Sequence, residues 1–195
     1  MTNSIIPIAT MTLDAIQRKC GEENMGGMTI QGYLALRCEI ETWPTPKSPI
    51  VKIGDLVKLQ GNYAMKEGKF FIPIEGIIET PKTGAESQGE SESKSFKQKT
   101  EFKIAGATKA ETGGWMRLLN NVYAVIIWID NNGNRVQIGD NLHPAVITPT
   151  SDTGENPTNR SEATFVCEAN NFRPFYLYEG SIPLSEGASV PPIES

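Results

Sequence analysis

The single histidine and its nearest carboxylate are the first residues to consider for catalysis. His143 lies in the segment DNLHPA, three residues after Asp140. An imidazole beside a carboxylate has the composition of a general base. No obvious nucleophile accompanies the pair, so it lacks the set of groups that a reaction would need. We therefore expect a structural role for His143, no catalytic residues and no enzyme activity.

The cysteines are the next candidates for chemistry, and they stand at three widely spaced positions, Cys20, Cys38 and Cys167. Their odd number and the absence of a C-x-x-C pair fit neither a disulfide framework nor a zinc site. We expect three reduced thiols in a protein made in the cytoplasm. Cys38 alternates with Leu34, Leu36 and Ile40, which predicts that it lies on the buried face of a strand.

Metal and cofactor motifs are absent from the chain. The segment Asp130–Asn134, DNNGN, lacks the alternating acidic residues and the closing glutamate of a calcium loop. Neither a phosphate-binding G-x-x-x-x-G-K-[ST] loop nor an H-E-x-x-H or G-x-S-x-G motif is found. The sequence therefore predicts no metal site and no cofactor.

Charge and hydropathy exclude two further classes of protein. Eighteen basic and 23 acidic residues give the 195-residue chain a net charge of −5, which is unfavourable for a protein whose main task is to bind phosphate backbones. The longest apolar run, Val122–Ile129, is too short to span a membrane. The first 20 residues lack the basic start and continuous apolar core of a signal peptide, so we expect no secretion by that route.

The elements that would position these residues are mostly β-strands. Residues from about Thr29 to Trp43 alternate between apolar and charged side chains, which predicts a half-buried strand. The prolines of WPTPKSP then predict an extended connection. The following run predicts two or three antiparallel strands, with a turn at Gly54–Asp55 and a hairpin tip at Lys66–Lys69.

A polar segment interrupts the strands from about Thr80 to Ser95. Its sequence, rich in serine, glutamate and glycine, contains no large apolar residue, so alone in water it should be disordered. The next segment, SFKQKTEFKI, alternates again and predicts a strand. We therefore expect a long loop, from about 80 to 95, between two strands; a loop of this length is commonly functional or disordered.

One convincing helix follows. Thr108 and Glu111 have the spacing of a capping box, and Trp115, Leu118 and Leu119 form an apolar stripe. A weaker helix candidate is the segment 11–20, MTLDAIQRKC. Gly113 and Gly114 weaken the main helix, so we expect it to need tertiary packing.

The most apolar run, Val122–Ile129, predicts a central strand covered on both faces, one by the core and one by a helix or a neighbouring chain. Asn132–Gly133 then predicts a hairpin turn in which both residues take positive φ. The segments ATFVCEA and FRPFYLYEG predict further strands, and the proline-rich end is not expected to join a sheet.

Together these elements predict a single, mainly β domain over residues 1–195. We expect an antiparallel β-sandwich or barrel with one short α-helix. Outside this core we expect an N-terminal arm of about 1–27, the polar loop of about 80–95 and a C-terminal tail of about 183–195.

One alternative is a single-stranded nucleic-acid-binding module. The segment IGDLVKLQGNYAMKEGKFFIPI is similar to the strands of an OB-type barrel, and Tyr63, Phe70 and Phe71 are candidate stacking platforms. Lys58, Lys66 and Lys69 lie close by in sequence. Because acidic residues are interleaved with these lysines, the positive groove that such proteins use is not evident.

The segment FKIAGATKAETGGWMRLLNNVYAVIIWIDNNGNRVQIG, residues 102–139, resembles passages of tailed-bacteriophage virion proteins, in particular tail-tube and head-to-tail connector subunits. The shared order is a helix, a buried strand, a D-x-x-G turn and a second strand. The resemblance covers about a fifth of the chain.

This resemblance implies a self-assembling structural subunit, found in the virion tail and made in the host cytoplasm. Its partners would be further copies of itself in stacked, hexameric rings and other virion proteins, without membrane contact. DNA would pass through the ring without specific binding, which suits the acidic balance. The family's contact loop maps onto Lys82, Gly84, Glu86, Ser87, Glu90, Glu92 and Lys94.

Other functions stay open at this point. A connector, stopper or decoration subunit of a virion would share the same β-rich, acidic character. An accessory enzyme or small-ligand protein would need a polar pocket around His143.

Overall fold

The computed structural model describes residues 21, 23–156, 158–185 and 187–193. The N-terminal arm up to residue 20, with the weaker helix candidate 11–20 and Cys20, lies outside the described residues. The described chain forms one α-helix, α1 (Ala110–Leu119), and fifteen strands. The strands are β1 (Met28–Leu36), β2 (Ile40–Thr42), β3 (Thr45–Pro46), β4 (Lys58–Gln60), β5 (Ala64–Met65), β6 (Ile72–Glu75), β7 (Lys82–Gln88), β8 (Ser95–Ala105), β9 (Tyr123–Asp130), β10 (Arg135–Ile138), β11 (Ala145–Asp152), β12 (Glu162–Asn171), β13 (Tyr176–Tyr178), β14 (Ile182–Ser185) and β15 (Ala188–Val190).

Eleven strands form one large, mostly antiparallel sheet, so the expected mainly β fold with one helix is confirmed. The main path runs β3-β4-β13-β10-β9-β11-β12-β8-β7, and β1 joins β9 to β6. Among the described residues the sheet does not close into a barrel, and the arrangement is sandwich-like. Two small sheets, β14–β15 and β2–β5, complete the fold.

Strand β9 lies at the centre and separates two apolar cores, as its continuous apolar sequence predicted. Ala124, Ile126 and Trp128 project into the first core, which α1 helps to cover. Val125 and Ile127 project into the second core, which the chain covers with its own β4, β13 and β14. The second face is therefore covered without a neighbouring chain.

Trp128 is the largest fully buried side chain, and its position depends on a glycine. A Cβ atom on Gly32 of β1 would lie 2.3 Å from Cε3 of Trp128. The indole therefore packs directly against the backbone of β1, and its Nε1 donates a hydrogen bond to the carbonyl of Thr29 at 2.7 Å. This contact joins β1 to the centre of the first core.

The predicted strand of about 29–43 is divided in two. A 3-10 turn over Arg37–Glu39 separates β1 from β2, and β2 pairs with β5 in a different sheet. The turn ends the alternation of side chains, so Cys38 is exposed and the prediction that it is buried was wrong. Cys167 of β12 is buried in the first core.

The following region also differs from its prediction. Residues Ile53–Val57 form a 3-10 helix instead of a simple turn. The turn at Lys66–Lys69 is present, with the amide of Lys69 donating to the carbonyl of Lys66. The strands on either side of it do not pair with each other, because β5 pairs with β2 and β6 pairs with β1.

The helix α1 forms where the sequence predicted it, but its start and its buried face differ. Lys109 is the N-cap and makes no side-chain capping bond, so the Thr108–Glu111 capping box is not formed. Thr112 and Leu119 are buried, whereas Leu118 is 46% exposed. The buried stripe is therefore rotated away from the predicted one.

The hairpin predicted at Asn132–Gly133 is present between β9 and β10. The conformation predicted for its two turn residues, a positive φ at both, was wrong. Only Gly133 of the two turn residues has a positive φ, of 85°. The Oδ1 atom of Asp130 accepts hydrogen bonds from the amides of Asn132 and Asn134 at 2.9 and 2.7 Å. This side-chain acceptor holds the turn without a second left-handed residue.

The described part of the C-terminal segment, residues 183–185 and 187–193, is folded against the domain, contrary to the expectation for the tail of about 183–195. Residues Ala188–Val190 pair with β14, so the prediction that this end joins no sheet was wrong. Arg135 donates hydrogen bonds to the carbonyls of Gly180 and Pro191 at 2.7 and 2.6 Å. Ile182 is fully buried in the second core and anchors the segment.

Candidate interaction edge

The predicted contact loop is mostly a β-strand in the structure. Lys82, Gly84, Glu86 and Ser87 lie on β7, which pairs in register with β8 along its whole length. The remaining three positions, Glu90, Glu92 and Lys94, lie in the exposed connection between the two strands. The expected long loop of about 80–95 is therefore a hairpin with a short tip at 89–94.

Cross-strand polar pairs explain why a segment without large apolar residues forms a strand. The hydroxyl groups of Thr83 and Thr100 are 2.8 Å apart, and Gln88 Nε2 donates to Asn170 Oδ1 of β12 at 2.8 Å. Such pairs stabilise a sheet once one strand is already in place. Strand β8, held by β12 on its other side, supplies the template that the isolated segment lacks.

The tip has a defined backbone shape. Gly89 has a φ of 95°, and a Cβ atom there would lie 2.4 Å from the carbonyl oxygen of Ser93. The amide of Ser93 donates to the carbonyl of Glu90 at 3.1 Å. The turn therefore presents Glu90, Glu92 and Lys94 to solvent from a compact connection.

Strand β7 is an open edge of the large sheet. Among the described residues it pairs with β8 and with no other strand, and its seven residues contain no proline and no bulge. The opposite end of the path is β3, a two-residue strand that includes Pro46. Natural proteins usually shorten, bend or cover such an edge, because its free N–H and C=O groups can pair with another strand.

The face formed by β7, β8 and β12 carries lysine–glutamate pairs. Lys97 Nζ lies 2.9 Å from Glu168, and Lys82 Nζ lies 3.2 Å from Glu101. Lys99 is 3.7 Å from the same Glu101 carboxylate, and Lys103 pairs with Glu162. The lysines of this face therefore have carboxylates next to them, which offsets the positive charge that would attract a phosphate backbone.

Asp140 and His143 are close, but the carboxylate is used to hold a loop. Its Oδ1 atom accepts the amides of Leu142 and His143 at 2.8 and 2.6 Å, and Oδ2 accepts Asn171 Nδ2 and the Tyr176 hydroxyl, each at 2.8 Å. Burial acts to raise the pKa of Asp140, but these hydrogen bonds and the nearby imidazole outweigh it and lower the pKa overall.

The imidazole of His143 has few partners. Its Nδ1 atom lies 3.4 Å from Asp140 Oδ1 and makes no hydrogen bond with the described residues. The ring packs edge-on against Phe172, with ring centres 5.7 Å apart, and Phe172 is 72% exposed. Among the described residues, the side chains that hydrogen-bond to Asp140 are those of Asn171 and Tyr176. No described serine, threonine or cysteine hydrogen-bonds to the His143 ring.

A buried polar network surrounds this loop, and sequence reasoning missed it. Gln98 Oε1 accepts the amide of Gly139 at 3.0 Å, its Nε2 donates to the carbonyl of Arg173 at 2.8 Å, and Tyr63 donates its hydroxyl to Gln137 Oε1 at 2.9 Å. Gln98 lies on the same side of its strand as Phe102. A glutamine at an inward position of an alternating strand is the sequence signal from which such a network could have been predicted.

The aromatic residues of the OB-type alternative are not arranged as a surface platform. Tyr63 and Phe71 are buried, at 5% and 1% exposure, and pack edge-to-face in the second core with centres 5.0 Å apart. Phe70 is half-buried. Two of the three rings are therefore unable to stack on a base without unfolding the core.

The described part of the chain has neither a candidate metal cluster nor a candidate membrane-spanning helix. It contains no cluster of three or more histidine, cysteine, aspartate or glutamate side chains that could hold a metal ion. It also contains no helix with the length and apolar character needed to cross a membrane.

Comparison with known proteins found no matching family model, no similar curated protein and no similar solved structure.

Proposed function

We propose that this chain is a structural subunit that assembles with copies of itself into the rings or tube of a phage tail, through which DNA passes. The observation that carries the proposal is the open, seven-residue edge of β7. An edge of this length without proline or bulge is suited to pairing with a strand of a neighbouring subunit.

The sequence resemblance supports the same conclusion. Residues 102–139 contain α1, the central strand β9, the Asp130–Gly133 turn and β10, in the order typical of phage virion proteins. The contact positions implied by that resemblance lie along β7 and its tip, next to the open edge. Two independent considerations, one from sequence and one from strand pairing, therefore favour the same surface.

Electrostatics is compatible with a conduit for DNA. The chain carries a net charge of −5, and the lysines of the β7–β8–β12 face lie beside glutamates. A subunit of this kind should let a phosphate backbone pass without holding it. We expect no salt-sensitive binding of DNA by the assembled protein.

Electron microscopy and sedimentation of the purified full chain test the proposal. We expect rings or tubes from the wild-type protein. The edge is tested by two single variants, Ala85→Pro and Glu86→Pro, at exposed adjacent positions of β7. Because successive N–H groups of a strand point to opposite sides, one proline removes an outward N–H and the other removes an N–H bonded to β8.

The variant that has lost the outward-pointing N–H is identified as the one that retains the wild-type circular dichroism and melting temperature. We expect this variant to remain monomeric. The inward variant serves as the matched control for damage to the fold. A wild-type protein that stays monomeric at high concentration would contradict the proposal. Rings formed by the well-folded proline variant would show that β7 is not the assembling edge.

A further inference from the structure

The turn between β9 and β10 holds a distant segment of the chain through two asparagine side chains. Asn131 Nδ2 donates to the carbonyl of Gly26 at 2.8 Å. Asn132 Oδ1 accepts the amide of Met25 at 3.0 Å, and Asn132 Nδ2 donates to the carbonyl of Met25 and to Asn24 Oδ1, each at 3.1 Å. The segment that leads into β1 is therefore fastened to a turn 107 positions further along the chain.

Asn132 also has the local sequence that favours loss of a side-chain amide. It is the only asparagine of the chain that precedes a glycine. Glycine has no side chain to keep its backbone nitrogen away from the preceding amide carbon. Asn132 and Gly133 are both exposed, so water reaches the pair.

The reaction is a deamidation, and it needs no reactant other than water. The backbone nitrogen of Gly133 attacks Cγ of Asn132 and forms a new C–N bond. The bond between Cγ and Nδ2 breaks, and ammonia leaves with the proton of the Gly133 amide. Water then opens the resulting cyclic imide at either of its carbonyl carbons, which leaves aspartate or isoaspartate at this position.

The contacts of the folded chain oppose this reaction. Three hydrogen bonds fix the Asn132 side chain against Asn24 and Met25. The attacking N–H is also occupied, because the amide of Gly133 donates to the carbonyl of Asp130 at 3.0 Å. Both sets of bonds must open before the nitrogen and Cγ can meet, so the reaction is slow while the segment is docked.

We propose that Asn132 is a deamidation site coupled to this contact: docking of residues 24–27 protects it, and its conversion releases them. An ionised aspartate only accepts hydrogen bonds, so the carbonyl of Met25 loses its donor. The new charge also lies beside Asp130, whose Oδ1 accepts the Asn132 amide at 2.9 Å. Because ammonia has left, the release runs in one direction, and it does not depend on assembly into rings.

Peptide mapping by mass spectrometry tests the protection in the full chain. The variant Asn24→Ala/Asn131→Ala keeps Asn132–Gly133 but removes two of the contacts of the segment. Its matched control is Asn120→Ala/Asn121→Ala, a pair of asparagines that precede β9 instead of following it. Each protein is incubated in mildly alkaline buffer, and aspartate and isoaspartate at position 132 are measured over time.

We expect deamidation about tenfold faster or more in Asn24→Ala/Asn131→Ala than in the wild type, approaching the rate of the urea-unfolded chain. The control should keep the wild-type rate. A wild-type rate in Asn24→Ala/Asn131→Ala, or equal rates in the folded and the unfolded wild type, would overturn the proposal.

Hydrogen exchange tests the release. Wild-type protein that has deamidated during incubation is separated by its added charge and compared with the unmodified protein. We expect the amides of Met25 and Asn131, which now bond to Asn132 Oδ1 and the Gly27 carbonyl, to exchange about tenfold faster or more, while β12 is unchanged. Unchanged exchange at these two amides would refute the release.

Two variants separate the lost contacts from the added charge. Asn132→Asp reproduces the aspartate product, and Asn134→Asp places a charge in the same turn, where Asn134 bonds to Asp130 and not to the docked segment. We expect faster exchange at Met25 in Asn132→Asp alone. Equal acceleration in both variants would attribute the effect to charge in the turn and contradict the proposed coupling.

Discussion

At the scale of single residues, the Asp140 carboxylate holds its own loop and two neighbouring side chains in place. Its two oxygens accept the four hydrogen bonds that hold the loop before β11 and connect it to Asn171 and Tyr176. Burial also raises the pKa of Tyr176 to about 12, with the Asp140 charge adding to the effect. The carboxylate therefore acts as the shared acceptor of four uncharged donors, one of which is the backbone amide of His143.

We predict that Asp140→Asn destabilises the protein by about 1–3 kcal/mol, because an amide cannot accept all four hydrogen bonds. The lowered pKa of Asp140 means that its contribution to stability is present above the ordinary aspartate pKa of about 3.9 and is lost as the pH falls through the lower value of the folded state. Urea unfolding at a series of pH values measures both effects.

The loss of stability below about pH 4 should be smaller in Asp140→Asn than in the wild type. Asp152→Asn is a suitable control, because Asp152 is exposed and accepts one hydrogen bond, from the amide of Gly154. If the free energy of unfolding depended on pH in the same way in the wild type and in Asp140→Asn, folding would not lower the pKa of Asp140.

At the scale of elements, the local sequence of α1 predicted that a helix forms but not where it begins or which face is buried. The apolar spacing correctly predicted a helix, yet the expected capping box is absent because the helix begins one residue later. Gly106 takes a φ of 88° and accepts the amide of Lys109 in a turn that sets this start. Packing of Thr112 and Leu119 against the sheet then selects the buried face, in place of the stripe that included Leu118.

We predict that Gly113→Ala and Gly114→Ala each stabilise the protein by about 0.5–1 kcal/mol. Apart from the neighbouring residues and the backbone of the helix itself, a Cβ atom at either position would have no heavy atom within 4 Å. Alanine also loses less backbone entropy than glycine in a helix. The midpoint of urea unfolding measures the gain. Gly32→Ala is the opposing control, since its Cβ would collide with Trp128; a loss of stability in both helix variants would mean that this face of α1 is covered.

At the scale of the whole molecule, the two cores share β9 and should open together. Val125 and Ile127 pack on one face of the strand, and Ala124, Ile126 and Trp128 pack on the other. Removing β9 from either core would expose both. Cys167 lies fully buried in the first core, and burial raises the pKa of its thiol strongly, so this group reports on opening of the core.

Thiol labelling of a Cys20→Ser variant tests this cooperativity. We expect Cys38, which is exposed, to react at once, and Cys167 to react only at the rate of global unfolding. Labelling of Cys167 should therefore follow the loss of circular dichroism as urea is raised. Fast labelling of both thiols in native buffer would instead indicate that the first core opens separately from the second.

The sequence by itself determined those features that depend on neighbours along the chain. Alternation and apolar runs predicted the mainly β class and the central position of β9, Asn132–Gly133 predicted the hairpin, and the spacing of Trp115 and Leu119 predicted α1. In each case the side chains of one short segment are sufficient to favour one backbone conformation over the others.

The tertiary structure decided the features that depend on distant partners. Strand β7 exists because β8 and β12 provide hydrogen-bonding partners. Cys38 is exposed because the chain turns from one sheet to another. Tyr63 is buried because Phe71 and Tyr178 pack against its ring. Local sequence specifies which conformations a segment can adopt. Pairing and burial then select among them, because backbone hydrogen bonds and apolar contacts across the fold outweigh a weak local preference.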